Sequence, residues 1–236
     1  MDDGIPPIYC VSAPGNEPRR LRMRQRMTQV GLSCDFLASP LTAADVSKLV
    51  AATGQSEPTG LDLRTAAVML DHLELIRRFV HETRAAHVIV CEDDIYLRRT
   101  LKQDLPSIVR QFDANDLDVL LLGYLWPWRE DNAAGYQLHD YDDDLWGSQM
   151  YLLSRPHAIH LLETYTLAWA IAHSSDSSDS SAKPFSPDWI LTKVGRRARL
   201  SPMVAVEEGV VHTTHAGQIE FHRRCAEAQY NPALFV

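Results

Sequence analysis

Short continuous apolar runs alternate along the chain with longer stretches in which apolar residues recur every three to four positions. Ile8-Tyr9-Cys10-Val11 is the first run; the turn-forming Ser12-Ala13-Pro14-Gly15-Asn16 ends it, so it reads as a buried strand. Arg19 to Val30 places Leu21, Met23, Met27 and Val30 among five arginines before Gly31, which predicts an amphipathic helix with a very basic outer face. Cys34 to Ala38 is a second short strand, and the resulting β-α-β unit belongs in a parallel sheet covered by helices.

Residues 39 to 60 are mixed, with a short helix expected near Ala43 to Ala52. From Thr65 to Val80 the apolar positions Ala66, Met69, Leu70, Leu73, Ile76 and Val80 form one helical stripe. His87 to Cys91 and Asp118 to Gly123 read as central parallel strands buried on both faces. Between them lies a helix near Thr100 to Phe112, which Pro106 interrupts or restarts. Tyr124 to Gly147 is aromatic and acidic without a clear period, and predicts a long functional loop or a small hairpin. Gln149 to Ser154 is a fifth strand, and Pro156 starts a helix reaching about Ala172. The Ser/Asp run at 174 to 183 is too polar to order itself and predicts a mobile loop. One short helix follows Asp188, then a strand over Pro202 to Val206 and a polar tail. The whole chain, 1 to 236, reads as a single α/β domain with a mainly parallel, Rossmann-like sheet.

A net charge of −8 argues against a surface that neutralises nucleic-acid phosphates. No stretch approaches the roughly 20 apolar residues that span a bilayer, and residues 1 to 7 lack the features of a signal peptide, so a cytoplasmic protein is expected. Cys10, Cys34, Cys91 and Cys225 form no CxxC pair and read as buried thiols.

The candidate chemistry begins where the strand Val88-Ile89-Val90-Cys91 runs into Glu92-Asp93-Asp94. Three carboxylates crowded at the end of an apolar strand raise one another's proton affinity unless a cation relieves them. Alternation along extended backbone puts Glu92 and Asp94 on one face and Asp93 on the other, offering hard oxygen ligands of the kind Mg²⁺ or Mn²⁺ prefers. Arg19 and Arg20, at the start of the first helix, suit an anionic group. Asp188 in Ser186-Pro187-Asp188-Trp189 stands at a helix start beside an aromatic able to stack on a sugar, and is the candidate general base; an ordinary N-cap explains it nearly as well. Trp126, Trp128 and Trp146 offer an acceptor platform or a wedge against the core, and Asp140, Asp142, Asp143 and Asp144 read as a solvated loop.

Several of these landmarks, in order, resemble glycosyltransferase family 25: Ile8 to Val11 followed by Arg19-Arg20, the helix holding Asp71-His72, Val88 to Asp94, Val119 to Gly123, and Trp146 to Arg155. The resemblance runs from residue 8 to about 215. It implies a GT-A type fold, a UDP-sugar donor carrying galactose or glucose, a Mn²⁺ or Mg²⁺ cofactor, a glycan or glycosylated acceptor, and inversion at the anomeric carbon. On that carry-over Asp94 binds the metal, with Glu92 also near it, and Glu92 and Asp93 touch the ribose or metal-bound water. Val11, Ser12, Arg19, Arg20, His72 and Gln149 fall to the donor, while His212 or His215 completes the metal shell from the C-terminal part. The family usually has Ser before its helical His, where this chain has Asp71, and the Ser/Asp run looks like an insertion. Two rival readings are a binding module that kept the fold without turnover, and a metal-dependent phosphohydrolase built on the same triplet.

Overall fold

A computed structural model of the chain describes residues 5–58, 60–129, 135–174, 184–211 and 213–236. A seven-stranded sheet forms its centre. The first strand, β1 (Ile8–Val11), lies between the two-residue β2 (Asp35–Phe36) and β3 (His87–Glu92), parallel to both. Next to β3 comes β7 (Trp146–Ser154), then β5 (Val119–Leu125), β8 (Arg197–Ser201) and the edge strand β6 (Gln137–His139). Five of the seven strands point one way; β7 and β6 run against them.

The apolar runs of β1, β3 and β5 are buried as their continuous hydrophobicity predicts. β7, the fifth strand expected from the sequence, is equally apolar but runs antiparallel to both its neighbours. An apolar run reports burial on two faces and carries no sign of direction.

Helices cover both faces. On one side α3 (Leu63–Glu82) buries Ala66, Met69, Leu73, Ile76 and Phe79 against the sheet, and α2 (Ala43–Ala52) packs on it behind a Thr42–Asp45 capping box. On the other, α1 (Glu17–Gln29) contributes Met23 and Met27, while α4 (Leu101–Ala114) contributes Leu101, Leu105, Ile108 and Phe112. Leu21, expected on the buried stripe of α1, is 56% exposed. Pro106 stands inside α4, at its sixth residue, and neither interrupts nor restarts it: the lost backbone bond is offset by the four buried apolar anchors on either side.

Three further expectations are corrected. The helix from Pro156 to Ala172 is two helices, α5 (Arg155–Thr164) and α6 (Leu167–His173), because Thr166 caps α6 by accepting from the Trp169 amide at 3.2 Å. The late strand expected over Pro202 to Val206 is the shorter β9 (Ala205–Glu207), and a strand not expected, β8, ends at Ser201 before the cis Ser201–Pro202 bond. β9 pairs antiparallel with the three-residue β4 (Ile95–Leu97) in a separate two-stranded sheet. The polar tail contains α8 (Ala216–Gln229), whose one buried anchor is Cys225.

The four-residue α7 (Pro187–Ile190) is the short helix expected around Asp188. All four cysteines are free thiols. No helix among the described residues is long and apolar enough to cross a membrane. The Ser/Asp run, apart from Ser174 at the end of α6, lies outside the described residues, as does His212.

Candidate active site

The parallel pairing of β1 with β3 sets Val11 opposite Glu92, so both strands deliver their C-terminal residues to one edge of the sheet. In open α/β sheets this edge is where ligands bind. Ser12 donates its hydroxyl to Asp93 Oδ2 at 2.5 Å and accepts from Arg20 Nε at 3.1 Å. Arg19 bridges the triplet, donating from Nη2 to Asp94 Oδ2 at 2.8 Å and from Nη1 to Asp93 Oδ1 at 3.4 Å. The expected alternation holds: Glu92 and Asp94 line a cavity of about 980 Å³, while Asp93 turns to Ser12 and Arg19.

A second acidic pair arrives from β9. Glu207 lies opposite Ile95 in the β4–β9 ladder, and the Glu208 amide donates to the Asp94 carbonyl at 2.8 Å. Glu207 accepts from Gln149 Nε2 at 3.1 Å with one oxygen and from His222 Nδ1 at 2.7 Å with the other. Glu208 is held instead by Arg26 at 2.7 Å and Arg22 at 3.6 Å. From β7, Ser148 donates to Glu92 Oε1 at 2.6 Å. Asp188, on α7, lies beside the Gly147 amide and the Ser148 hydroxyl, both of which lower its proton affinity. Glycine at 147 lets these strands meet closely: a Cβ there would stand 2.6 Å from Tyr124 Cβ.

Glu92, Asp94, Asp188 and Glu207 therefore surround one cavity. Burial, and then the Asp94 charge, hold the Glu92 carboxyl well above the usual range. Burial pushes Asp94 up to about 7 against the pull of Arg19, with Glu207, Asp93 and Glu208 adding to the rise. Burial also raises Asp188, against Lys193. For His222 burial acts downward, but the hydrogen bond to Glu207 and the charges of Glu207, Asp94 and Asp188 win and raise it. Asp94 Oδ1 and Gln149 Oε1 are buried without a hydrogen-bond partner. Such orphan acceptors are costly unless a cation or a donor meets them.

The remaining cavity wall is aromatic. Trp146 and Trp189 meet edge to face with ring centroids 5.3 Å apart, and the Lys193 ammonium lies 3.8 Å from the Trp189 centroid and 4.5 Å from that of Trp146. Trp169 and Phe185 line the cavity as well. Flat apolar rings beside carboxylates can hold the apolar face of a sugar while the acids take its hydroxyls.

Of the residues singled out in the sequence, Arg19, Glu92, Asp94, Gln149, Asp188 and His215 all line this cavity. His215 is also the N-cap of α8, accepting from the Gln218 amide at 3.3 Å. Asp93, Ser12 and Arg20 form the layer behind Asp94, and Val11 is a buried strand residue. His72 lies in the core, its Nδ1 2.7 Å from the Tyr151 hydroxyl, and burial alone pulls it down to about 3. Asp71 accepts from the Leu41 amide at 2.9 Å and is raised by burial to about 6. Trp126 and Trp128 pack on each other away from the cavity, and Asp143 pairs with Arg197 at 3.0 Å.

Glu207, Ser148 and His222 are the cavity residues that sequence reasoning passed over. For Glu207 a signal existed: Val204-Ala205-Val206-Glu207-Glu208 repeats the pattern of an apolar run ending in acids. Ser148 and His222 owe their place to tertiary contacts alone.

Among the described residues no group of three or more His, Cys, Asp or Glu side chains is arranged to hold a metal ion. The donor set nonetheless fits a hard cation bound through one or two carboxylates, with water and a phosphate completing the shell, as Mg²⁺ is usually held. The orphaned Asp94 Oδ1 is the atom that fits such an ion.

The chain matches no protein-family profile, and no curated protein matches it in sequence. Solved structures resemble it over most of their length. A glycosyltransferase involved in glycosylation of the major capsid of PBCV-1 is 10% identical, with 93% of this chain and 98% of that chain covered, at a TM-score of 0.46. A197 from STIV is 9% identical over 88% and 87%, at 0.44. HddC from Yersinia pseudotuberculosis, complexed with GMP-PN, is 14% identical over 94% and 99%, at 0.38. Likeness at these scores does not distinguish one α/β family from another.

Proposed function

We propose that the chain is a metal-dependent, inverting glycosyltransferase of GT-A type that moves a hexose, galactose or glucose, from a UDP-sugar to a glycan or glycosylated acceptor. The observation that carries this reading is Asp94: buried at the carboxyl end of the sheet, tied to Arg19 through one oxygen, and left with the other unpartnered beside Glu92 and Glu207. The ordered resemblance to glycosyltransferase family 25 supports the choice of donor.

Asp94, with Glu92 near it, would hold Mn²⁺ or Mg²⁺, which when bound supplies positive charge to a diphosphate leaving group. Arg19 stands at the same corner, and its guanidinium suits the phosphate oxygens. The pyranose rests against Trp146 and Trp189. Asp188 takes the proton of the acceptor hydroxyl as that oxygen attacks the anomeric carbon and the bond to the diphosphate breaks. A carboxylate whose proton affinity is raised by burial is a better base than one in water, which favours Asp188 for this role. His215 lines the same cavity and would be available to complete the metal shell.

Incubating the protein with Mn²⁺ and a panel of UDP-hexoses, and measuring free sugar and UDP, tests the proposal. Slow release from UDP-galactose or UDP-glucose is expected. Donor binding without release supports the binding module, and cleavage of p-nitrophenyl phosphate with no release from any UDP-sugar supports the phosphohydrolase.

A further inference from the structure

A second recess, of about 380 Å³, opens where β4 leaves the acidic site, between the loop after the cis Ser201–Pro202 bond and the C-terminal end of α8. Arg98 and Arg129 line it together with Asn231 and Tyr230, and no carboxylate does. On a chain of net charge −8 this is unusual. Arg19, Arg26, Arg77, Arg196, Arg197 and Arg223 each have an acidic partner. Neither Arg98 nor Arg129 forms an ion pair with a described carboxylate; Arg98 is placed over the Tyr136 ring at 5.6 Å.

The frame around these guanidiniums is fixed. The Arg98 amide donates to the Val204 carbonyl at 2.8 Å, and the residue bridges to Phe235. Asn231 uses its Oδ1 to accept from the Ala233 amide at 2.9 Å, which leaves its amide N–H groups for a ligand. Arg98 and Arg129 both line the recess, and the forked donors of a guanidinium match phosphate oxygens in pairs. Arg98 is four residues from Asp94, about 13 Å along extended chain. The recess is therefore separate from the acidic cavity, and its volume suits a small organic molecule.

We infer that this recess binds a phosphate monoester, with Arg98 and Arg129 clasping the phosphate and Asn231 donating to it. The ester is either a phosphorylated acceptor or a free metabolite that acts as an effector; both present the same group. Binding of the ester does not depend on the reaction proposed for the acidic cavity; only the choice between acceptor and effector rests on that reaction.

Calorimetric titration with glucose 6-phosphate tests it. Binding by the wild-type protein is expected, unchanged by saturating UDP, weakened at least about tenfold in Arg98→Ala and in Arg129→Ala, and weakened less in Arg98→Lys. Circular dichroism checks the fold of each variant. Should Arg98→Ala misfold, the exposed Arg129→Ala carries the test. The absence of heat at millimolar ester, displacement by UDP, affinity untouched in Arg129→Ala, or inorganic phosphate binding as tightly as the ester would each overturn the assignment. In a transfer assay, appearance of a disaccharide phosphate marks the ester as acceptor, and a changed rate without it marks an effector.

Discussion

Asp94 and Glu207 are neighbours because their strands are laddered: Ile95 faces Glu207 across β4 and β9, and the Glu208 amide donates to the Asp94 carbonyl at 2.8 Å. Two buried acids from chain segments more than a hundred residues apart are thus fixed beside one cavity by backbone bonds. The site is in this sense built by the small sheet as much as by the large one.

The Asp94 carboxyl, pushed up to about 7, sets a pH dependence. In the unfolded chain it ionises near its ordinary value of about 3.9, so between there and 7 the folded state holds the extra proton. Stability present at the acid end is lost as pH rises through this window. Asp94→Asn removes the penalty: its unfolding free energy should exceed that of the wild type increasingly from pH 5 to pH 8, by up to about 4 kcal/mol at the upper end. The difference between the two proteins is what should be followed, because His72, pulled down to about 3, opposes the trend in both. A gain that does not grow with pH contradicts the assignment.

Removing His222 leaves Glu207 as a buried charge without its imidazole partner. His222→Ala should destabilise by roughly 2 kcal/mol, less than a fully buried pair would lose because the imidazole is partly exposed. Adding Glu207→Gln should restore part of that loss, so chemical denaturation of both single variants and the double variant should be non-additive. Strict additivity would mean that the 2.7 Å contact carries no coupling.

Gly123 tests how the large sheet supports the small one. A Cβ there would stand 2.8 Å from the Ala205 carbonyl oxygen and 2.9 Å from Ala205 Cβ, so Gly123→Ala must push β9 outward. The expected cost is about 1 to 3 kcal/mol, together with weaker UDP binding as Glu207 moves away from Asp94. Denaturation and UDP titration on the same variant read the two effects separately.

The strands that carry the site were legible in the sequence where burial is two-sided: β1, β3 and β5 are unbroken apolar runs, and the triplet at the end of β3 faces as its alternation predicts. What failed depended on partners distant in the chain. β4 and β9 have three residues each, too short for any period, and exist because they pair with each other. α8 shows no apolar stripe because it buries mainly Cys225 and otherwise supplies polar side chains to the site. The very basic outer face of α1 is divided: Arg19 and Arg20 reach Asp93, Asp94 and Ser12, while Arg22 and Arg26 reach Glu208.

Asp188→Asn separates donor binding from chemistry. With the cavity otherwise intact, UDP should bind as in the wild type while kcat for sugar transfer falls by about 10²- to 10⁴-fold. Equal loss of UDP affinity and turnover would assign Asp188 to the donor instead.

The most direct measurement is the melting temperature with UDP and Mn²⁺, singly and together, for the wild type and Asp94→Ala. A rise in the wild type that requires both ligands and is absent in the variant is the predicted result. A wild-type curve unmoved by the pair, or an equal rise in Asp94→Ala, would contradict a diphosphate and cation held at Asp94.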